Sequence, residues 1–389
     1  MSYNAPEMDT SVKRMKMVAM PEANQTIARL TPLATVLAAV DAAANPVVAR
    51  DVDLAAARGR MLAADVVAIN ARPAVAIALL DGWAVSAEAT RDAGGYAPAS
   101  LPQMPPRIEA GQPMPAGTDA VAPFGAIQVR GGCVEAVAAV TPGEGVLPAG
   151  GDCSEGKVLR PAGARVRDGD LAVFAAAGIA RVSIREPRVS VVPAREDSIL
   201  VAAAQLVAND VERYGAAARL GEAGGELDSV LCDEDVDAIV VMGGTGSGRN
   251  DKSVWSLARA GRVSAHGIAL SPGETAAFGI AESRPVLVLP GRLDAVLAVW
   301  LTLGRRMLAR LAGATESEIG AAATLTRKIS STVSLAEFVP VRRDGDKATP
   351  LASKYLSFAV LAQANGWILV PAESEGYQSG TPVSVRPWP

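Results

Sequence analysis

Three stretches of this chain repeat one pattern: a short run of near-continuous Val, Ile and Leu, a tight junction, then a helix-like segment. They are "PRVSVVPAREDSILVAAAQLVANDV" from Pro187, "VDAIVVMGGTGSGRNDKSVWSLARA" from Val236, and "RPVLVLPGRLDAVLAVWLTLGRRML" from Arg284. A strand that is apolar on both faces has to be covered on both, and alternating helices supply the cover. Residues 187–330 are therefore expected to form an α/β domain around a doubly wound parallel sheet.

The rest of the chain is organised differently. Leu33, Val36, Leu37 and Val40 recur on one helical face, with Thr31 read as the N-cap and Pro32 as the first helical position. A second short helix starts at Asp53 and leads into "AADVVA". Residues 66–157 are short apolar pieces punctuated by Pro and Gly, the pattern of a small β domain. Residues 158–186 return to strand, turn and helix, so 27–65 and 158–186 are expected to make one linking domain that the β domain interrupts. Residues 331–389 read as a final small β domain.

With 389 residues, half of them hydrophobic, the chain is long enough for two or three sizeable cores. Its net charge of −4 is interspersed, which gives no electrostatic case for a nucleic-acid surface, and an aromatic content of 4% argues against base-stacking platforms. The basic run from Arg305 to Arg310 has the spacing of a wetted helix face. No apolar run reaches the ~18–20 residues that span a bilayer. The N-terminus "MSYNAPEMDTSVKRMKMV" lacks the core of a secretory signal, so residues 1–26 read as a polar, frayed tail of a cytoplasmic protein.

Cys133, Cys153 and Cys232 are too scattered for a disulfide framework, and His266 is the only histidine. A lone histidine argues against a His-based triad, a His-rich metal site and a zinc deaminase centre. Any chemistry must rest on carboxylates, hydroxyls, backbone amides and a bound ion.

In an open parallel sheet, ligands sit beyond the carboxyl ends of the strands. Pro193–Ser198, Gly243–Ser253 and Pro290–Asp294 are the junctions in that position. Glycines 243, 244, 246 and 248 remove Cβ atoms, so backbone N–H groups can approach an oxyanion, and the following helix adds its positive end. Arg249 and Lys252 add charge. The stretch is not a Walker loop, because Arg249 and Asn250 stand where a Lys should follow the last glycine. A tight turn whose glycines serve packing alone is the competing reading. Glu196, Asp197, Asp251 and Asp294 accompany the junctions. An acid beside an anion cradle suggests Mg²⁺ between them, whereas ordinary helix capping explains the same residues without a metal. Asp294 reads as a cap and Asp251 is open between the two. Asp81-Gly82 in "LLDGWAV" reads as a hairpin turn.

Taken in order, these pieces resemble the molybdopterin molybdenumtransferase family, the MoeA proteins and the gephyrin E domain, from about Ile27 to the C-terminus. "AARGRMLAADVVA" is similar to the family's start, and "DGWAV" stands where it has Met-Asp-Gly-Tyr-Ala. "AGQPMPAGTDAV" matches its Gly-x-Pro-x-Pro-x-Gly-x-Asp-Ala-Val segment. "MGGTGSGRND" parallels its Gly-Gly-Val-Ser-Val-Gly-x-x-Asp loop. "SPGETAAFG" and "LPGRLDAV" parallel its Lys-Pro-Gly-Lys-Pro and Leu-Pro-Gly-Asn-Pro segments, and "EFVPV" and "ANGWILVP" resemble its terminal domain.

The resemblance implies an elongated multidomain architecture of α/β plus β domains: a MogA-like molybdopterin-binding α/β domain, the inserted β domain and the C-terminal β domain. It implies a homodimer whose cleft lies between the α/β domain of one subunit and the inserted β domain of the other. The reaction it implies inserts molybdate into adenylylated molybdopterin with Mg²⁺ present and AMP released, with molybdoenzymes or their chaperones as further partners. By position, Asp81, Asp152, Asp197 and Asp251 match acids lining the cleft, with Asp251 as the metal ligand. Gly243, Gly244, Thr245, Gly246, Ser247 and Gly248 match the phosphate cradle, with Arg249, Lys252, Ser271, Pro290, Gly291 and Arg292 beside it.

Departures from the pattern are concentrated at the charges. Both lysines of Lys-Pro-Gly-Lys are replaced, by Ser271 and Glu274. "LPA" (Leu147 to Ala149) replaces a basic run, Ala78-Leu79 replaces Ser-Ala, Arg195 stands in place of a glycine, and Arg292-Leu293 replaces Asn-Pro. A charge-assisted contact contributes ~1.5–3 kcal/mol, so two lost lysines could weaken phosphate binding by roughly a hundredfold or more. A divergent pterin carrier, regulator or dimeric scaffold is the alternative expectation.

Overall fold

The computed structural model describes residues 25–315 and 320–389. The expected tail therefore lies outside the described residues, apart from Gln25 and Thr26.

The three repeats form the sheet that their apolar runs require. Its strands lie in the order Ala217–Leu220, Arg188–Pro193, Ala238–Met242, Arg284–Leu289, Ala277–Ala281, Gly261–His266. The first four are mutually parallel. Alternate residues of the central strand enter opposite cores. Val240 and Met242 pack on the side of helix Ser198–Arg213, and Ile239 and Val241 on the side of Leu257. Helix Ser198–Arg213 faces the sheet with Leu200, Ala203, Ala204, Val207 and Val211, the spacing of one helical stripe.

The last two strands are antiparallel, an edge that the strand–helix repeats do not announce. The reason is the length of the connection. Ala281 pairs with Arg284, leaving a two-residue loop in which Glu282 adopts a φ of +55°. A loop that short can only reverse the chain, since a parallel return needs a crossover of about a dozen residues.

The opening helix, Leu33–Ala43, buries Leu33, Val36 and Val40 in the same core as Val240, Phe278 and Leu308, so it is a layer of the α/β unit. The linking domain expected from residues 27–65 thus lacks it. Thr31 is not its cap either. Thr31 and Pro32 form a short parallel pairing with Ile268 and Ala269, the Thr31 N–H donates to Gly267 O at 2.8 Å, and the helix begins at Leu33. Leu54–Ala57 is the second short helix. Val52, Leu62 and Val66 share a separate small core with Val166, Phe174, Ile179, Val182 and Ile184, from the two sides of the intervening β segment.

A charge pair clamps the opening helix. Asp41 accepts from Arg306 Nε and Nη2 at 2.7 and 2.6 Å. The Arg306 hydrogen bond holds the Asp41 carboxyl below the usual carboxylate range, against a smaller opposing effect of burial and with help from the charges of Arg306 and Arg310. A lowered native pKa means that the stabilisation is complete above the unfolded value and is lost as pH falls through the native one, below about pH 4. Both side chains are partly exposed, so the effect is small. Asp41→Asn should lower Tm slightly at pH 7, and the gap to wild type should close in acid scans.

In the inserted segment, Gly82–Val85 is the middle strand between Arg107–Ile108 and Ala120–Ala122. A second sheet joins Ala99–Leu101, Cys133–Ala136 and Ile127–Arg130. At the C-terminal end, Ala321–Leu325, Ala336–Asp344, Lys347–Pro350, Gly366–Val370 and Pro382–Pro387 close into a ring, each pairing with two others. Ile268–Ser271 adds to the outside of this barrel, Leu270 opposite Ala336 and Ser271 opposite Glu337. Backbone pairing therefore joins the α/β unit to the barrel, and the seam between them is where the site lies. Among the described residues no helix is long and apolar enough to cross a membrane.

Candidate functional site

The glycine turn leaves the end of Ala238–Met242. Gly243 and Gly244 have φ of +88° and +74°, a region costly for any residue with a Cβ. A Cβ on Gly244 would press into Ser253 Oγ, which donates to Gly243 O at 2.8 Å. This inner part of the turn is buried and its groups are used by the fold. The Gly243 N–H donates to Leu289 O at 2.8 Å, His266 Nε2 lies 3.0 Å from Thr245 O, and Thr245 Oγ1 lies 2.9 Å from Thr275 Oγ1.

The outer part, Ser247 to Asn250, is exposed. Asp251 turns back into it, accepting from the Gly248 N–H at 3.1 Å with Oδ2. The turn thus already holds an anionic oxygen, supplied by its own chain. Arg249 and Lys252 form no ion pair among the described residues. Helix Ser253–Ala260 follows, with Lys252 at its N-cap position and no side-chain cap from that residue. The cap comes instead from Gln25. Its Oε1 accepts from the Trp255 N–H at 2.9 Å, and its Nε2 donates to Gly244 O at 3.1 Å and Gly246 O at 3.0 Å. Gln25 falls in the stretch expected to be a frayed tail and is instead tied to the turn; nothing local marks a residue that acts 230 positions away.

Asp197 is the N-cap of helix Ser198–Arg213, its Oδ1 accepting from Ile199 N at 2.9 Å and Leu200 N at 3.2 Å. Asp294 is buried beside the third junction. It accepts from Arg292 Nε at 3.1 Å and Nη2 at 2.5 Å, and from Leu356 N at 3.2 Å. That hydrogen bonding, only partly offset by burial, raises the pKa of Arg292 above its ordinary value. The Arg292 guanidinium also lies over the Tyr355 ring, 4.8 Å from its centroid. Arg195 reaches the same junction, 3.9 Å from where a Gly291 Cβ would stand.

Asp81 and Asp152 lie elsewhere in the chain's own fold. Asp81 is an exposed turn residue whose Oδ1 accepts from Ala110 N at 2.8 Å, within the inserted β segment. Asp152 is exposed in a loop of the same segment. The structure does not gather the four acids into one cluster. Among the described residues, no group of three or more His, Cys, Asp or Glu is placed to hold a metal ion.

Beside the turn is a cavity of about 480 Å³ at the seam. Ser271, Thr275, Pro290 and Arg292 line it from the α/β unit, and Glu337 and Lys354 from the barrel. Thr275 is the residue that touches Thr245, so the cavity and the glycine turn adjoin. Glu274 also lines it and accepts from the Gly273 N–H at 3.0 Å. With Arg292 neutralised by Asp294, the remaining charges are the carboxylates of Glu274 and Glu337 and the ammonium of Lys354. Glu337 went unremarked in the sequence, although it is the only charge in the six-residue buried run Ala336–Val341, a signal that could have found it.

Comparison with known proteins follows the same order along the chain. Residues 22–178 match the MoeA N-terminal region (domain I and II), 194–310 a probable molybdopterin binding domain, and 322–388 the MoeA C-terminal region (domain IV). The chain is 27% identical over 384 residues to molybdopterin molybdenumtransferase 2 of Mycobacterium tuberculosis, covering 86% of this chain and 94% of that one. It is 26% identical over 372 residues to molybdopterin molybdenumtransferase of Bacillus subtilis, covering 84% and 86%. The crystal structure of a molybdopterin biosynthesis MoeA protein from Pyrococcus horikoshii OT3 superposes with a TM-score of 0.77 at 22% identity, over 92% of this chain and all of that one, a likeness of fold. From the opening helix to the terminal barrel, the chain belongs to the MoeA family of molybdopterin molybdenumtransferases.

Proposed function

We propose that the protein acts in molybdenum cofactor biosynthesis, inserting molybdate into adenylylated molybdopterin with release of AMP, as a cytoplasmic homodimer. The observation that carries this reading is the junction of two unlike surfaces through the 2.9 Å Thr245–Thr275 contact: a glycine turn at a helix N-terminus, and a cavity large enough for an organic ligand. Catalysis on this reading is positioning and electrostatics. The outer amides of the turn and the start of helix Ser253–Ala260 hold a phosphate, with Arg249 and Lys252 beside it. Binding displaces Asp251 Oδ2 from Gly248 N–H, because the two anions compete for the same donors.

Mg²⁺ is normally held by one or two carboxylates together with substrate phosphates. The single carboxylate of Asp251 fits an ion that arrives with the ligand, and it does not make a resident site. Asp197 holds its helix start in place. In a dimer, the inserted β domain of one copy would bring Asp81 and Asp152 to the cleft of the other. Molybdoenzymes or their chaperones are the partners that would receive the product.

Purified protein given molybdopterin-AMP, molybdate and magnesium should release AMP and yield metal-loaded cofactor, and Asp251→Ala should slow this about a hundredfold. Normal activity in that variant overturns the role of Asp251. One observation favours a second reading, pterin binding without insertion: two carboxylates, Glu274 and Glu337, line the cavity against a single lysine, Lys354. Pterin that is retained with no AMP released would select it.

A further inference from the structure

Glu337 is only 3% exposed, yet neither carboxylate oxygen has a hydrogen bond or an ion pair among the described residues, and its Oε1 is fully enclosed. Burying a carboxylate without a partner destabilises a fold, and such a group calls for a donor from outside. Among the described residues the fold offers none. Arg292 is engaged by Asp294 and Tyr355, and Lys354, which lines the same cavity, is exposed and forms no ion pair with it. Pro272, Pro290, Ala295 and Leu335 give the cavity apolar wall between its polar residues, among them Ser271, Thr275 and Thr332. Its ~480 Å³ exceeds what a single hydrated ion needs and suits a flat heterocycle.

We propose that this cavity recognises the 2-amino-4-oxopyrimidine edge of a pterin, with Glu337 as its acceptor. That edge carries two adjacent N–H donors, on N3 and on the 2-amino group. A carboxylate offers two acceptor oxygens in matching geometry, so a turn of the Glu337 side chain that brings the enclosed Oε1 to the cavity makes the pair a charge-assisted bidentate contact. The ligand's donors complete a hydrogen-bonding set that the free protein leaves open, so Glu337 trades stability for selectivity. Glu274, at the other acidic position, disfavours an oxyanion in the same space.

This inference rests on the molybdopterin reading for its ligand, but it is tested apart from insertion activity. The probes are 6-hydroxymethylpterin and lumazine, followed by their own fluorescence in titrations of the full-length protein. Lumazine replaces the 2-amino group with a carbonyl oxygen, which would face the carboxylate and repel it. Wild-type protein should bind the pterin about tenfold to a hundredfold more tightly than lumazine. Glu337→Gln should abolish that preference and keep or raise Tm, since it removes a partnerless buried charge. A purely structural role for Glu337 would lower Tm and leave the preference intact, which overturns the proposal. Equal pterin binding by wild type and variant also overturns it, while leaving the molybdopterin reading untouched. Absence of any pterin binding overturns it too, and the AMP-release assay then decides the broader reading independently.

Discussion

Asp210→Ala is expected to destabilise the α/β unit by about 3–5 kcal/mol, the largest single effect anticipated in this protein. Asp210 is 2% exposed on helix Ser198–Arg213. It accepts from Trp300 Nε1 at 2.7 Å, Arg305 Nε at 2.9 Å and Arg305 Nη2 at 2.9 Å. The Arg305 guanidinium also lies 4.7 Å from the centre of the Tyr214 ring. The set is well satisfied, and that makes it fragile to truncation. Without the carboxylate, a 7%-exposed guanidinium loses its counter-charge and keeps weaker contacts such as Pro387 O and the Tyr214 ring, and the indole N–H loses its acceptor. Urea titration should show the midpoint moving sharply down. A loss below about 1 kcal/mol would mean that water or a rearranged side chain replaces Asp210. Exchanging both partners for apolar residues, Asp210→Leu with Arg305→Met, should recover most of the loss, because the desolvation penalty disappears with the pair.

Gly244→Ala is expected to cost about 2–4 kcal/mol and to weaken phosphate-ligand binding by about a hundredfold. The residue sits at φ +74°, where an alanine is strained before any contact is counted, and its new methyl would press into Ser253 Oγ. Relief requires the Ser253 hydroxyl to leave Gly243 O and the helix start to shift away from the turn. Gly248→Ala is the control. Its φ is not in the left-handed region, and a Cβ there meets the flexible Asp251 carboxylate at 3.0 Å. Stability should therefore change little in that variant. Denaturation and ligand titration on the two variants separate strain in the turn from simple bulk near the ligand. Equal behaviour of the two would contradict the account of Gly244.

The sequence made the sheet legible because its strands are apolar on both faces, and Ala238–Met242 is buried at every position. It also placed the glycine turn correctly at a strand end. The antiparallel edge was not legible, because a two-residue Glu282-Ser283 loop lacks the Asn-Gly or Asp-Gly signature of a hairpin. Nor was the destination of the opening helix, since an apolar stripe such as Leu33, Val36 and Val40 says that a helix is buried and not against what. At the site, the loop and Asp251 were visible as local motifs; capping, one of the readings open to the junction acids, describes Asp197, whereas Asp294, read as a cap, pairs with Arg292 instead. Glu337, Thr275 and Gln25 enter through contacts between distant segments. Only the oddity of a charge inside a buried strand gave any local warning.

The most direct test of the account is a crystal structure of the protein soaked with molybdopterin-AMP and magnesium. A ligand phosphate should lie on the outer amides of the turn between Gly246 and Asn250, with the Asp251 carboxylate swung off Gly248 N–H and the pterin seated in the cavity at the barrel seam. A turn still closed by Asp251, with the ligand bound elsewhere or not at all, would contradict the proposed role of this site.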